Sequence, residues 1–343
     1  MSLSYQVISE EGKMLALPKW KNTNHEDNVA LMDLMRRTQW INEREFDNVS
    51  SFAFHRKVFY NAWWNKATTK ARGLFMNNKT GDIVSRSYDK FFNIGERKET
   101  NPHHIEKTLK FPLKVYMKEN GYLGIVGYDE EKDEIFISSK SSKEGPFADH
   151  FEYMFNKHLD TKGIRAEVES YLKYGKCSFV FEVIDPVFDP HMIKYKEPGL
   201  VLLDIVNRNA IFEKLDYTDL LEAAHYFKLF YKIKTVIIPN FKSFEEWHCL
   251  VAKDMNNHTE GAVIEAADGF MFKVKYPYYA FWKYMRSCKD KIRSHRVKGK
   301  PKPQFQYGDN EGMEEFITWA FEQSDATLEL DIIQLREMYA NKG

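Results

Sequence analysis

The chain has 343 residues, of which 43% are hydrophobic and 29% charged, a globular profile and neither a disordered nor a fibrous one. Lys plus Arg equals Asp plus Glu at 50 each, so no whole-molecule field draws it toward nucleic acid or an anionic membrane, and any polyanion site has to be a local patch. Cys177, Cys249 and Cys288 are far apart and outside any C-x-x-C pattern, which argues against a disulfide framework or a zinc site. With no signal-peptide core and no run of about 18 apolar residues, the expectation is a cytoplasmic protein without a membrane span.

The first 65 residues are aromatic-rich, with a helix predicted over 28–40 and a short alternating strand over 51–54; the cluster Phe59, Tyr60, Trp63 and Trp64 reads as core. Residues 73–92 read strand, turn, strand, a hairpin about Asn77-Asn78-Lys79-Thr80-Gly81. The clearest β-region covers 113–139. Leu113-Lys114-Val115-Tyr116-Met117 alternates, Asn120-Gly121 breaks the pattern, 122–128 resumes it, and a charged turn leads into 134–139, so Lys118 ends a strand. Further strands are expected over 177–184, 200–206, 235–238, 261–265 and 269–275, with helices at 147–157, 164–173 and 217–230.

After residue 276 the period becomes helical, with Phe281, Trp282, Met285, Cys288 and Ile292 on one stripe. Helices over 312–323 and 326–339 follow a breaker-rich segment at 299–308. Hairpins with inserted helices give an α+β class, divided into residues 1–280 and a small helical domain at 281–343. From Lys283 to Lys302 there are nine cations against the anion Asp290, a run that reads either as a solvated helix face or as an RNA footprint.

A lysine nucleophile needs a neutral amine, obtained by desolvation or by neighbouring cations. The pattern K-x-x-G occurs at Lys70, Lys118 and Lys196, and alone it is an ordinary turn. Only Lys118 leaves an alternating strand and enters a second one through Asn-Gly. Downstream, Glu182 interrupts the apolar strand Phe179-Val180-Phe181-Glu182-Val183-Ile184, where a carboxylate is expensive unless it meets a cation or metal. Glu260-Gly261 opens one strand, and Lys273-Val274-Lys275 closes the next with both lysines on one face, an arrangement that suits a phosphate.

In this order, with Ala71-Arg72-Gly73-Leu74-Phe75, Tyr88-Asp89-Lys90-Phe91-Phe92-Asn93-Ile94-Gly95-Glu96 and Ser138-Ser139-Lys140-Ser141 among them, the set resembles the covalent nucleotidyltransferases. Within them it is most similar to RNA ligases of the T-even phage type and the adenylyltransferase domain of fungal tRNA ligase. The resemblance covers about residues 72–290. It implies a nucleotidyltransferase fold of antiparallel sheets flanked by helices, and ATP-dependent joining of RNA ends through a lysyl-AMP on Lys118. Lys273 and Lys275 would hold the α-phosphate, and Arg72 and Lys90 the departing pyrophosphate or the 5′-phosphate, with Lys140 assisting. Glu119 would lie beside the nucleotide, Glu182 would meet the ribose or a metal, and Glu260 would order water on Mg2+, or on Mn2+ in its place. Phe54 would stack on adenine, although an aromatic in that strand also reads as core. The phage pattern is acidic where this chain has Asn120. DNA ligases and capping enzymes share these residues but continue into a strand-rich OB-fold, whereas the 68 residues after Lys275 read as helices. The implied partner is RNA with 5′-phosphate and 3′-hydroxyl ends, tRNA among the candidates, prepared by a separate kinase or phosphatase. The class outside enzymes is a non-catalytic RNA-binding protein.

Overall fold

The computed structural model describes residues 6–8, 14–306 and 311–342. They fall into two compact units, one of Met1–Phe91, Tyr122–Ile184 and Gly199–Lys232, the other of Phe92–Gly121, Asp185–Pro198 and Ile233–Gly343. The chain thus changes unit inside Lys90-Phe91-Phe92-Asn93 and again just after Lys118-Glu119-Asn120-Gly121, two of the stretches that stand out in the sequence.

The first unit holds a four-stranded antiparallel meander of Ile41–Phe46, Val49–Phe54, Leu74–Asn77 and Ile83–Arg86. Its second sheet runs in the order Glu134–Ser139, Tyr122–Asp129, Cys177–Ile184, Gly199–Asn207, Phe230–Tyr231, antiparallel except for the last pair. Helices Pro146–Lys162 and Arg165–Tyr174 cover it. The first opens on proline at the position where a missing N–H costs nothing and closes on Gly163 in the left-handed conformation. Phe151, Phe155, Tyr171, Phe179, Phe181 and Phe227 form the centre of the core, each worth about 1.5–3 kcal/mol of apolar burial.

The second unit is built on a sheet in the order Lys234–Ile238, Leu113–Lys118, Gly261–Glu265, Met271–Lys275, Phe92–Asn93. Helix Phe241–Val251 packs Phe244 against Phe272. A second core joins Tyr279, Trp282, Met285, Cys288 and Ile292 of helix Pro277–Lys298 to Phe316, Leu328 and Leu335 of the C-terminal helices, and to Met192 and Ile193 of the 185–198 segment.

Several expectations need correction. Phe59, Tyr60 and Trp63 are not core: they are 55%, 70% and 44% exposed, and Trp64 is half-buried. The helix expected over 217–230 stops at Tyr226, because Lys228 turns left-handed (φ 55°) and Phe230–Tyr231 pairs as a strand. The helix expected over 326–339 is two, Asp325–Glu329 and Ile332–Ala340, since the Asp331 carboxylate caps a new start on the N–H groups of Ile333 and Gln334. Helix Phe241–Val251, capped by Asn240, was not anticipated. The strand ending at Lys118 and the strand that follows Asn120-Gly121 are both present, as expected, and lie in different sheets. Of the breaker-rich segment, residues 307 and 308 lie outside the described residues. Among the described residues no helix is long and apolar enough to cross a membrane.

Candidate active site

In the second unit, ladder register assembles the lysines. Gly261 stands opposite Lys118 on one side and Lys275 on the other, so the three form a row across adjacent strands, and Glu260 immediately precedes that row. Gly261 has to be glycine: at φ 151° a Cβ would lie 2.1 Å from the Val274 carbonyl oxygen. Lys273, two residues before Lys275, shares its face and pairs with Val263 and Asn93.

Glu260 is 6% exposed along its side chain. Its Oε2 accepts from Lys118 Nζ at 2.9 Å and from Asn120 Nδ2 at 2.8 Å, while its Oε1 lies 3.4 Å from Lys275 Nζ. Burial opposes ionisation, yet the Lys118 and Lys275 ammoniums and the hydrogen bonds outweigh it and hold the carboxyl below its usual range. Lys275 is pulled down to about 8, chiefly by burial; Lys283 and Lys118 reinforce this and Glu260 opposes it. One carboxylate therefore serves two ammoniums, with the Lys283 ammonium beside Lys275, and the surplus positive charge suits an incoming polyphosphate. Lys275 and Lys283 both approach the buried Tyr279 ring, at 4.7 and 5.8 Å.

The Lys118-Glu119-Asn120-Gly121 turn is fixed from the 185–198 segment. Tyr195 donates its hydroxyl proton to Glu119 Oε2 at 2.8 Å and accepts from the Asn120 N–H at 2.8 Å; Asn120 Oδ1 accepts from the Ile193 N–H at 3.3 Å. The other two K-x-x-G lysines are differently placed. Lys70 is tied to Asp89 and the Ala210 carbonyl, and Lys196 is exposed.

In the first unit Arg72, Lys90 and Lys140 are brought together mainly by backbone bonds. The Gly73 N–H donates to the Lys140 carbonyl at 2.9 Å and the Lys90 N–H to the Thr69 carbonyl at 2.7 Å. Burial lowers the Arg72 guanidinium pKa, against the opposing effect of Glu182 and Tyr88. Lys140 is exposed over the residue as a whole, but crowding at its ammonium, and then Arg72 and Lys90, lower its pKa. Glu182 sits half-buried in the central strand Cys177–Ile184, paired with Leu123 and Val201, and not on a sheet edge. Phe54 is half-buried, with its ring 5.4 Å from Lys140 Nζ and 4.8 Å from Trp64.

The sequence profile of the family described as RNA ligase matches residues 70–279. The chain belongs to the RNA ligase family. Over 237 residues it is 30% identical to tRNA ligase 1 of Schizosaccharomyces pombe, a match covering 61% of this chain and 30% of the relative. It is 29% identical over 136 residues to RNA ligase 1 of bacteriophage TS2126, covering 38% of this chain and 33% of the relative. The chain thus spans about a third of the length of these curated relatives. An archaeal ATP-dependent RNA ligase superposes with a TM-score of 0.53 at 13% identity, over 90% of this chain and 75% of that one. A putative ATP-dependent DNA ligase from Aquifex aeolicus gives 0.53 at 13%, over 86% and 77%. At that identity the likeness shows a shared ligase fold. Unlike an OB-fold appendage, everything regular after Lys275 among the described residues of this RNA ligase family member is helical.

Sequence reasoning missed Tyr195, Tyr279 and the placement of Lys283. Lys283 was legible, since it stands one helical turn after Tyr279 on a helix that starts two residues past Lys275. Tyr195 carried no local signal, because only tertiary folding brings it to the lysine turn.

Proposed function

We propose that this protein is an ATP-dependent RNA ligase joining 5′-phosphate to 3′-hydroxyl RNA ends, with residues 1–280 as the adenylyltransferase part and 281–343 as a helical appendage. The observation that carries this reading is the row Lys118, Gly261, Lys275 with Glu260 buried against both lysines.

In the first step the Lys118 amine, having given up its proton, attacks the α-phosphorus of ATP; a P–N bond forms, the bond to the β-phosphate oxygen breaks, and pyrophosphate leaves. Lys273 and Lys275 hold the α-phosphate oxygens, and the pre-set positive charge meets the negative charge that develops there. Arg72 and Lys90 bind the pyrophosphate or the 5′-phosphate, Lys140 assists, Phe54 stacks on adenine, and Glu119 fixes the nucleotide side of the turn. In the second step a 5′-phosphate oxygen takes the adenylate from Lys118, which regains its amine. In the third the 3′-hydroxyl oxygen attacks the 5′-phosphorus and AMP leaves.

Among the described residues no group of three or more His, Cys, Asp or Glu forms a chelating cage. Carboxylates present singly, and not in a cage, fit Mg2+, which keeps several waters and takes one or two carboxylates beside phosphate oxygens. Glu260 and Glu182 would be those carboxylates, and the ion would neutralise charge on the triphosphate. Mn2+ would serve the same donors. RNA ends, tRNA among them, would arrive already processed, since the chain has no G-x-x-x-x-G-K-[ST] and no H-x-[ST]. The test is incubation with α-labelled ATP, then a broken-loop RNA bearing each kind of end. An acid-labile protein label and joining only of 5′-phosphate ends is expected; no label, or joining of 5′-hydroxyl ends by the purified chain alone, would refute the reading.

A further inference from the structure

One short segment of the first unit exposes three aromatic rings within five residues. Between Asp47 and Asp82 the chain has no acidic residue, but it has Arg56, Lys57, Lys66, Lys70, Arg72 and Lys79. Within that stretch, helix Arg56–Tyr60 and the turn after it expose Phe59, Tyr60 and Trp63. The rings are interleaved with cations. Lys57 Nζ lies 5.2 Å from the Trp40 ring, which packs on Trp63 at 5.1 Å, and the Arg56 guanidinium lies 5.9 Å from Tyr60.

The segment is anchored from beneath. Val58, Ala67 and Thr68 are buried, and Asn65 Oδ1 accepts from the N–H groups of Ala67 and Thr68, both at 2.9 Å. Ala62 adopts the left-handed conformation (φ 54°), which an L side chain takes at a cost. The turn is held in that form by the Trp63 N–H donating to the Val58 carbonyl at 3.0 Å. The platform is also continuous with the unit's phosphate-binding candidates: Trp64, next in sequence to Trp63, has Lys90 Nζ 5.1 Å from its ring and packs its edge on Phe54 at 4.8 Å.

We propose that Trp40, Arg56, Lys57, Phe59, Tyr60 and Trp63 form a binding platform for single-stranded RNA, taking the unpaired nucleotides next to the end to be joined. Stacked bases on aromatic faces, with cations beside them for the phosphates, is the chemistry by which single strands are held without sequence preference. A duplex offers no base face to such a surface. Protein interfaces, by contrast, are depleted of charge at their centre, whereas here cations alternate with rings. The basic run 283–302 is a weaker candidate, because part of it is committed to packing. Lys289 Nζ donates to the Leu330 carbonyl at 2.9 Å, Arg293 pairs with Glu329, and Arg296 donates to the carbonyls of Phe321 and Gln323.

The proposal rests on the RNA ligase reading, and its test separates the two. The triple variant Phe59→Ala, Tyr60→Ala, Trp63→Ala and the charge variant Arg56→Glu, Lys57→Glu are compared with the unaltered chain for affinity to a single-stranded uridine oligomer and for lysyl-AMP formation. Affinity should fall at least about tenfold in the triple variant. The salt dependence of binding should flatten by about 0.7 per lost phosphate contact in the charge variant. Labelling from ATP should be unchanged in both, which also shows that both are folded. Trp63→Phe, which keeps a stacking face, should retain most of the affinity. Unchanged oligomer affinity in both variants would overturn the proposal and leave the surface to a protein partner. Failure of the unaltered chain to form lysyl-AMP would instead sink the ligase reading and leave the oligomer measurement to stand by itself.

Discussion

Each unit carries a cationic cluster, and the two are organised by different means. Around Glu260 the side chains themselves set the geometry, with Lys118 and Lys275 both reaching one buried carboxylate. Around Arg72 the backbone does so, through the bonds from Gly73 to Lys140 and from Lys90 to Thr69. In a cluster that shares an internal anion, that anion keeps the crowded ammoniums from repelling one another, so the cluster is sensitive to every partner. A cluster held by its backbone tolerates loss of a single side chain, and its members act more nearly as independent charges.

The comparison predicts a steep order of effects. Lys118→Ala should abolish transfer of AMP to the protein, while Lys70→Ala and Lys196→Ala retain it. Lys118→Ala should still seal RNA that already bears a 5′-adenylate, because that step needs no amine nucleophile; labelling that survives Lys118→Ala would remove the lysine cluster from the chemistry. Glu260→Ala comes next. It leaves Lys118 and Lys275 facing one another without their shared anion, so it should impair more than one step and lower stability by about 3–5 kcal/mol, read as a drop in the denaturation midpoint. If Glu260→Ala is as stable as the parent, the carboxylate is not the organiser.

The third effect is on pH. Lys275 titrates near 8, so below that it is a cation and above it is neutral. Nucleotide affinity should therefore weaken as pH rises through about 8, and binding near that pH should take up a proton, measurable by calorimetry in buffers of different ionisation enthalpy. Lys275→Arg keeps its charge throughout and should lose the break. Smaller still, Lys140→Ala should weaken ATP binding by about tenfold or less, since Lys140 is exposed and its backbone carbonyl, not its side chain, anchors Gly73. A complete loss of adenylation in Lys140→Ala would contradict the backbone-held picture. The smallest is Arg293→Ala, a largely exposed pair with Glu329. It should change stability by no more than about 1 kcal/mol and leave RNA affinity unaltered.

What could be read in advance follows from how local the signal is. The strand ending at Lys118, the paired face of Lys273 and Lys275, and the buried stripe Trp282, Met285, Cys288 and Ile292 are period-two and period-3.6 patterns, and the structure has them. The α+β class and the helical ending followed from the same periods. The aromatic cluster at 59–64 was misassigned because composition does not say which side of a short helix faces water. Val58 and Ala67 supply the buried contacts there, and the large rings do not. The partners of Asn120 and Glu119 were invisible, since Ile193 and Tyr195 lie more than seventy residues away and reach the turn only through the helical core around Met192. In the run 283–302, the cations bonded to C-terminal carbonyls could not be told from solvated ones by charge alone.

The ladder row of Lys118, Gly261 and Lys275 also has a consequence for the order in which the chain is made. The lysine leaves the ribosome long before the residues that flank it in the sheet, and its carboxylate partner does not exist until position 260 has been synthesised. Two backbone pairings, both formed late, bring the strands into register. A nascent or truncated chain therefore carries an ordinary lysine in an Asn-Gly turn, and its ion pair with Glu260 arises only as the finished sheet closes around it.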